Sequence, residues 1–364
     1  MTAVAEQTRT LTMAAALNRA LADELRADPK VVLYGEDVAA LGGVFRVTDG
    51  LAVEFGDARV FDSPLAESGI VGTAIGMAMH GMRPIVEMQF DAFSYPAFEQ
   101  ITSHLAKLRN RTRGKISLPV VIRIPYGGGI GGVEHHCDSS EAYWVHTPGL
   151  KVVTPGSASD AYWLLRQAIA SDDPVLFLEP KRRYWAKEGI APAAPAAFDR
   201  ALVRRPGDDV TLIGYGSMVT TLLETADAAA ADGISAEVVD LRTLSPFDDE
   251  TVAASVRKTG RAVVVHEASG FAGFGAEIVA RLTDQCFHQL HAPIGRVTGF
   301  DIPYPPPMFE EHHLPSVDRI LDAIDRLQFD DTVAVPRALD GPTVASGGSS
   351  GSRGGSAVAS GGSD

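Results

Sequence analysis

The stretch that most constrains this chain covers residues 59–100, RVFDSPLAESGIVGTAIGMAMHGMRPIVEMQFDAFSYPAFEQ. Its pattern predicts strand, helix, strand, helix. A short apolar piece ends at Asp62 and is broken by Ser63-Pro64. A glycine-spaced helix then carries Gly69, Gly72 and Gly76 and stops at Gly81. A second buried strand runs from Pro84 to Gln89, and a helix follows from about Phe93 to about Arg113. Gly72 and Gly76 lie four apart on one helical face, so another backbone can approach there. Glycine costs a helix stability, and the spacing therefore points to a packing use. Glu67 is the odd residue, a carboxylate at the mouth of an apolar helix.

The same alternation continues on both sides. Residues 1–9 read as a loose arm, and from Thr10 an amphipathic helix stripe runs through Leu11, Ala15, Leu17, Leu21 and Leu25 to Asp28-Pro29. VVLYGED is a buried strand delivering Glu36 and Asp37 to a glycine-rich loop, where they either cap the loop or serve a site. PVVIRIPY opens into GGGIGGVEHHCDSS; KVV, a helix over 158–170 and PVLFLEP follow. Strands alternating with helices imply a parallel sheet covered on both faces, with ligands beyond the strand carboxyl ends. Glu67, Gln89 and His136 all fall just past such ends. Residues 187–200 read as an Ala/Pro-rich linker, and a second α/β unit follows over 201–330. Its DIPYPPP segment either docks on a neighbouring domain or is a surface loop. Residues 331–364 form a tail, Gly/Ser-rich from about 340 and too polar to fold. The chain is thus α/β with two domains, each a mainly parallel sheet under helices, over 10–186 and 201–330.

At 364 residues, 45% of them hydrophobic, the chain can fill two cores. A net charge of −14 argues against a nucleic-acid footprint, which needs a basic face. Two cysteines, Cys137 and Cys286, fit a reducing compartment. No stretch approaches a membrane span, and the N-terminus lacks a secretory signal. Cytoplasm is the expected location.

PLAESGIVGTAIGMA followed by EMQFDAF resembles the beta subunit of thiamine-diphosphate-dependent 2-oxo acid dehydrogenases, the decarboxylating first component of those complexes. The resemblance extends to GEDV and GGVF upstream, and to HTPGLKVVTP and DPVLFLEPKRRYW downstream. It implies a pyrimidine-binding domain over 10–186 and, over 201–330, a domain similar to the transketolase C-terminal domain. It places Glu67 as the carboxylate that hydrogen-bonds the aminopyrimidine N1′, and Gln89 near the cofactor. Phe93 would lie against the pyrimidine face, with Leu65 approaching the ring through its backbone. A carboxylate in a low-dielectric pocket makes a strong hydrogen bond there. Glu67 read by itself is equally a helix N-terminal carboxylate favoured by the dipole, and ordinary core packing suits Phe90 and Phe98 better than Phe93.

His136 matches the family's catalytic histidine, an imidazole able to move protons as the acyl group passes to a lipoyl sulfur. His135 is the neighbour most easily mistaken for it. Here Cys137-Asp138 replaces the usual Ser-Gln, which puts local hydrogen bonding and substrate preference in question. Zinc at His135–Asp138 is disfavoured because adjacent residues cannot wrap a tetrahedral ion. A Cys–His nucleophile pair is disfavoured because sequence neighbours rarely face each other. GGGIGG at 127–132 evokes a dinucleotide fingerprint but lacks the helix that should follow at once. His266 reads as a satisfied histidine at a domain interface.

No Gly-Asp-Gly occurs in the chain. In this family that sequence holds Mg²⁺ and the diphosphate, so the resemblance assigns the metal to an alpha subunit in an α2β2 heterotetramer. The glycine-faced helix is a candidate subunit contact. No metal ligand is assigned to this chain, and a structural K⁺ is left open. With its partner the chain is expected to decarboxylate a branched-chain 2-oxo acid and acylate the lipoyl group of a dihydrolipoyl acyltransferase core. Pyruvate or acetoin is the alternative substrate, and a non-catalytic scaffold is the alternative role. An α/β hydrolase is set aside because the one G-x-S-x-G match, at residues 347–351, falls in the Gly/Ser-rich tail and not between a strand and a helix, so it is no nucleophile elbow.

Overall fold

The computed structural model describes residues 10–327. The expected arm at 1–9 and the tail at 331–364 lie outside the described residues. The first half supplies β1 (Thr10–Thr12), β2 (Val31–Gly35), β3 (Val60–Asp62), β4 (Arg83–Glu87), β5 (Val121–Tyr126), β6 (Lys151–Val153), β7 (Val175–Pro180) and β8 (Lys187–Gly189). The second half supplies β9 (Leu202–Arg205), β10 (Val210–Gly214), β11 (Ala236–Asp240), β12 (Thr243–Ser245), β13 (Ala262–Ser269) and β14 (Gly295–Gly299).

Seven strands form one sheet in the order β12-β6-β7-β5-β4-β2-β3, parallel except for β12. Five form another, β14-β13-β10-β11-β9, parallel except for β9. Residues of β2, β5 and β7 are buried throughout, as expected of parallel strands covered on both faces. The two-sheet α/β architecture is therefore as the alternation implied. Two details cross the expected boundaries. β12 comes from the second half yet closes an edge of the first sheet, and the segment read as a linker opens with β8, paired with β1. A continuous apolar cluster runs from Val71 and Ile122 through Trp144 to Leu244 and Phe274, so the two halves share a packed seam.

The first helix runs over Met13–Ala27, capped by the Thr12 hydroxyl accepting from Ala15 N at 3.1 Å. It starts three residues later than the stripe implied, because 10–12 form β1; Leu17, Leu21 and Leu25 are buried, but Ala15 is exposed. The glycine-bearing helix spans Glu67–Met79, and Gly81 (φ +93°) turns the chain after it. A Cβ built at Gly76 meets nothing within 4 Å among the described residues, so no other backbone among them packs there. The single helix expected from Phe93 is instead a 3₁₀ turn (Ala92–Ala97), a π turn (Gln100–Leu105) and a short helix (Leu108–Arg111). Pro96, which has no N–H to donate, sits inside the first of these.

Candidate active site

The carboxyl ends of β2, β3, β4 and β5 carry the candidate residues. Beyond β3, Leu65 is 80% exposed, an apolar side chain left uncovered in this chain. Two residues on, Glu67 opens its helix; the preceding Ala66 has no side chain to cap the free N–H groups, so a carboxylate is the group the helix terminus favours. Beyond β2, Glu36 turns its Oε1 into a buried position without a hydrogen-bond partner among the described residues. Burial raises the Glu36 carboxyl above its ordinary range, and the neighbouring charges of Glu67 and Asp37 raise it further. Asp37, held at φ +57°, accepts from Gln89 Nε2 at 2.9 Å. One cluster therefore joins Glu67, Glu36, Asp37 and Gln89.

The segment after β4 meets the loop after β5 residue by residue. Phe90 sets its ring 4.5 Å from the His136 ring at 75°, and Phe93 lies 5.5 Å away at 69°. Such edge contacts suit the ring quadrupoles. The two phenylalanines also meet each other edge-on at 5.6 Å. Asp91 is fully buried and accepts from both Ser140 N (2.9 Å) and Ser140 Oγ (2.6 Å). Burial pushes Asp91 up to about 7 against the opposing effect of those bonds. Tyr95 donates to Asp138 at 3.3 Å, and Gly127 N binds the Asp138 carbonyl at 2.8 Å. His135 is exposed, its ring 5.9 Å from that of His136.

Cys137 is buried against Gly132, where a Cβ would stand 2.9 Å from its sulfur. Burial pushes its thiol up, which works against a thiolate nucleophile. The non-consensus pair thus has defined places: Cys137 fills a packing position and Asp138 takes the Tyr95 hydroxyl. Phe90, assigned by sequence to the core, is the ring nearest His136. Leu65 and Glu67 are not part of this aromatic group; they reach the same end of the sheet through β3.

A second layer supports these residues. Phe45 meets Phe90 at 5.6 Å and stacks on Tyr184 at 4.7 Å. Tyr184 donates to Glu179 at 2.6 Å, and Glu179 accepts two bonds from the fully buried Arg123.

The glycine-rich loop is occupied by the protein's own carboxylates. Gly128 N binds Glu267 at 3.0 Å, and Gly129 N and Gly131 N bind Glu310 at 2.8 and 3.3 Å. Tyr304, from the proline-rich segment, donates to Glu310 at 2.6 Å and lies where a Cβ at Gly128 would stand 1.9 Å from its oxygen. This explains the glycine without any phosphate, and it shows that the segment packs on the first half. His266 departs from the sequence reading: it is buried, but neither ring nitrogen meets a partner at hydrogen-bond geometry among the described residues. A cavity of about 390 Å³ lies where loop 134–140 meets the second half, lined by Tyr95, Asp138, Glu267, Tyr304 and His313 rather than by Glu67 or Phe93. Among the described residues, no group of three or more His, Cys, Asp or Glu could hold a metal ion, and no helix is long and apolar enough to cross a membrane.

Residues 9–186 match the transketolase pyrimidine-binding domain, and residues 199–320 match the transketolase C-terminal domain. The chain is 54% identical over 327 residues to the 3-methyl-2-oxobutanoate dehydrogenase subunit beta of Mycobacterium tuberculosis, covering 89% of this chain and 94% of that one. It is 52% identical over 319 residues to the pyruvate dehydrogenase E1 component subunit beta of Leifsonia xyli, covering 87% and 95%. A 2-oxoisovalerate dehydrogenase subunit beta of Pseudomonas aeruginosa is 44% identical over 83% of this chain and 90% of its own length. Among solved structures, a split-gene transketolase described as an inactive beta4 tetramer superposes with a TM-score of 0.72 at 24% identity, covering 87% of this chain and 98% of that one. With both domains matched and relatives this similar over nearly their whole length, the chain belongs to the beta subunits of the thiamine-diphosphate-dependent 2-oxo acid dehydrogenases.

Proposed function

We propose that this chain supplies the pyrimidine-binding half of the active site in a branched-chain 2-oxo acid dehydrogenase, working in an α2β2 heterotetramer in the cytoplasm. The observation that carries the reading is Glu67, a carboxylate at an uncapped helix start beside the half-buried Glu36, with Leu65 exposed next to it. The residues suit a flat heteroaromatic ring: Leu65 and the half-buried Phe93 offer apolar surface, while Glu67 and Gln89 offer polar ends. Bound there, thiamine diphosphate would supply the nucleophilic carbon and the electron sink that decarboxylation of a 2-oxo acid needs. Glu67 would hold the aminopyrimidine at N1′ and set its protonation. Gln89, tied to Asp37, fixes the polar edge, and Phe93 limits access of water to the ring face. His136, between two aromatic edges, would hold and move a proton as the acyl group reaches a lipoyl sulfur.

Among the described residues no group of three or more His, Cys, Asp or Glu could hold a metal ion, and Mg²⁺ binds through carboxylates together with substrate phosphates. We assign it, with the diphosphate, to the alpha subunit. The open glycine face of the helix Glu67–Met79 is the surface we assign to a subunit partner, and the acyltransferase core is the acceptor. The branched-chain assignment is supported by the 54% relative and by QFDAFSYPAF; the 52% relative supports pyruvate as the second reading. One methylene in an apolar pocket changes selectivity by only about 1–3 kcal/mol. The test is dye-reduction turnover of the chain with its alpha partner, thiamine diphosphate and Mg²⁺, on 3-methyl-2-oxobutanoate and on pyruvate. A higher kcat/KM for the branched acid supports the proposal; preference for pyruvate overturns the substrate assignment.

A further inference from the structure

The segment 89–95 and the loop 134–140 are joined at several points, and at one of them the tie is bidentate. Asp91, flanked by the two phenylalanines that pack on His136, spends both carboxylate oxygens on Ser140. Ser140 is 2% exposed and also accepts from the indole of the fully buried Trp144 at 2.7 Å, so the far end of this tie is anchored in the core. The near end is anchored as well, because the Asp91 carbonyl accepts from Ser94 N and Oγ at 3.0 and 2.5 Å.

We propose that Asp91 is a positioning residue for His136: by clamping Ser140 it fixes the loop so that the imidazole stays against the edges of Phe90 and Phe93. Only three residues separate His136 from Ser140, so releasing the clamp lets the ring shift. A misplacement of about 1 Å at a reacting group can cost about 100-fold in rate. The hydrogen bonds of the Asp91 carboxylate run to Ser140 rather than to His136. The inference rests on the role given to His136 above.

The test uses the assembled alpha–beta complex and four variants, Asp91→Asn, Ser140→Ala, His136→Ala and Asp91→Asn with His136→Ala. Asparagine keeps the shape but turns an amide N–H₂ toward a serine that already receives the Trp144 proton. The expected result is a loss of about 10- to 100-fold in lipoyl-domain acylation for Asp91→Asn, with the KM for the 2-oxo acid changed less than about twofold. In the His136→Ala background the same substitution should have no further effect, and in Asp91→Asn the His136 ring resonances should move in NMR spectra. Ser140→Ala should show the same pattern more weakly, and it carries the test if Asp91→Asn does not assemble. Full acylation by Asp91→Asn, or an equal loss with and without His136, overturns the inference. Full acylation by His136→Ala instead refutes the role given to that histidine, and the clamp's role falls with it.

Discussion

Replacing Arg123 by Met should cost more than any other single substitution at the end of the sheet that carries the site. The guanidinium is fully buried on β5 between Glu179 on β7, held at 2.7 and 2.9 Å, and Glu87 on β4, held at 2.5 Å. An exposed pair would contribute about 0–1 kcal/mol. Here both carboxylates are at most 4% exposed, and removal of one partner of a buried pair costs about 3–5 kcal/mol. At about 2–4 °C per kcal/mol for a chain of this size, the unfolding midpoint of the complex should fall by about 6 °C or more. The deficit should depend on pH in a fixed direction. Burial already raises Glu87, and the charge of Arg123 opposes it. Without the arginine, the folded-state pKa of Glu87 rises further above the unfolded value. Its contribution is then retained at low pH and lost as pH rises through the folded pKa, so the deficit is larger near pH 8 than near pH 5. Thermal melts of wild type and variant across that range decide it. A loss under about 1 kcal/mol, or one independent of pH, would refute the reasoning.

Two further outcomes follow from particular residues. Gly76→Ala should leave the isolated chain as stable or up to about 1 kcal/mol more stable, by helix propensity, because a Cβ there meets nothing within 4 Å; if the face binds the alpha subunit, the same change should weaken assembly, read by sedimentation of the mixed subunits. His266 is held neutral by burial, which pushes it down to about 4. Its contribution to stability is complete above the ordinary pKa of about 6.5 and lost as pH falls toward the folded value, so His266→Gln should flatten the fall of the melting temperature over that interval.

The sheets and their order of elements were legible because β2, β5 and β7 are near-continuous apolar runs, and Glu67, Gln89 and His136 follow strand ends as they must in a parallel sheet. What was hidden depends on partners far along the chain. Glu267 and Glu310 reach the glycine loop from 139 and 181 residues away, and no local pattern announces that. Phe90 looked like ordinary core packing, but the strand ends at Glu87 and the chain then turns against the His136 loop. The helix expected after Phe93 gives way to shorter turns for a reason visible in the sequence, Pro96, which has no N–H to donate. The Asp91–Ser140 clamp pairs residues 49 apart, and nothing in either motif singles them out.

The most direct test of the account is Glu67→Gln in the assembled complex, with binding of thiamine diphosphate and turnover of the 2-oxo acid measured on the same sample. The amide keeps the size of the carboxylate and removes its ability to hold or accept the proton. The account predicts intact assembly, retained cofactor and a turnover loss of about 100-fold or more. Turnover near that of wild type, with cofactor bound, would contradict it and leave this chain a scaffold.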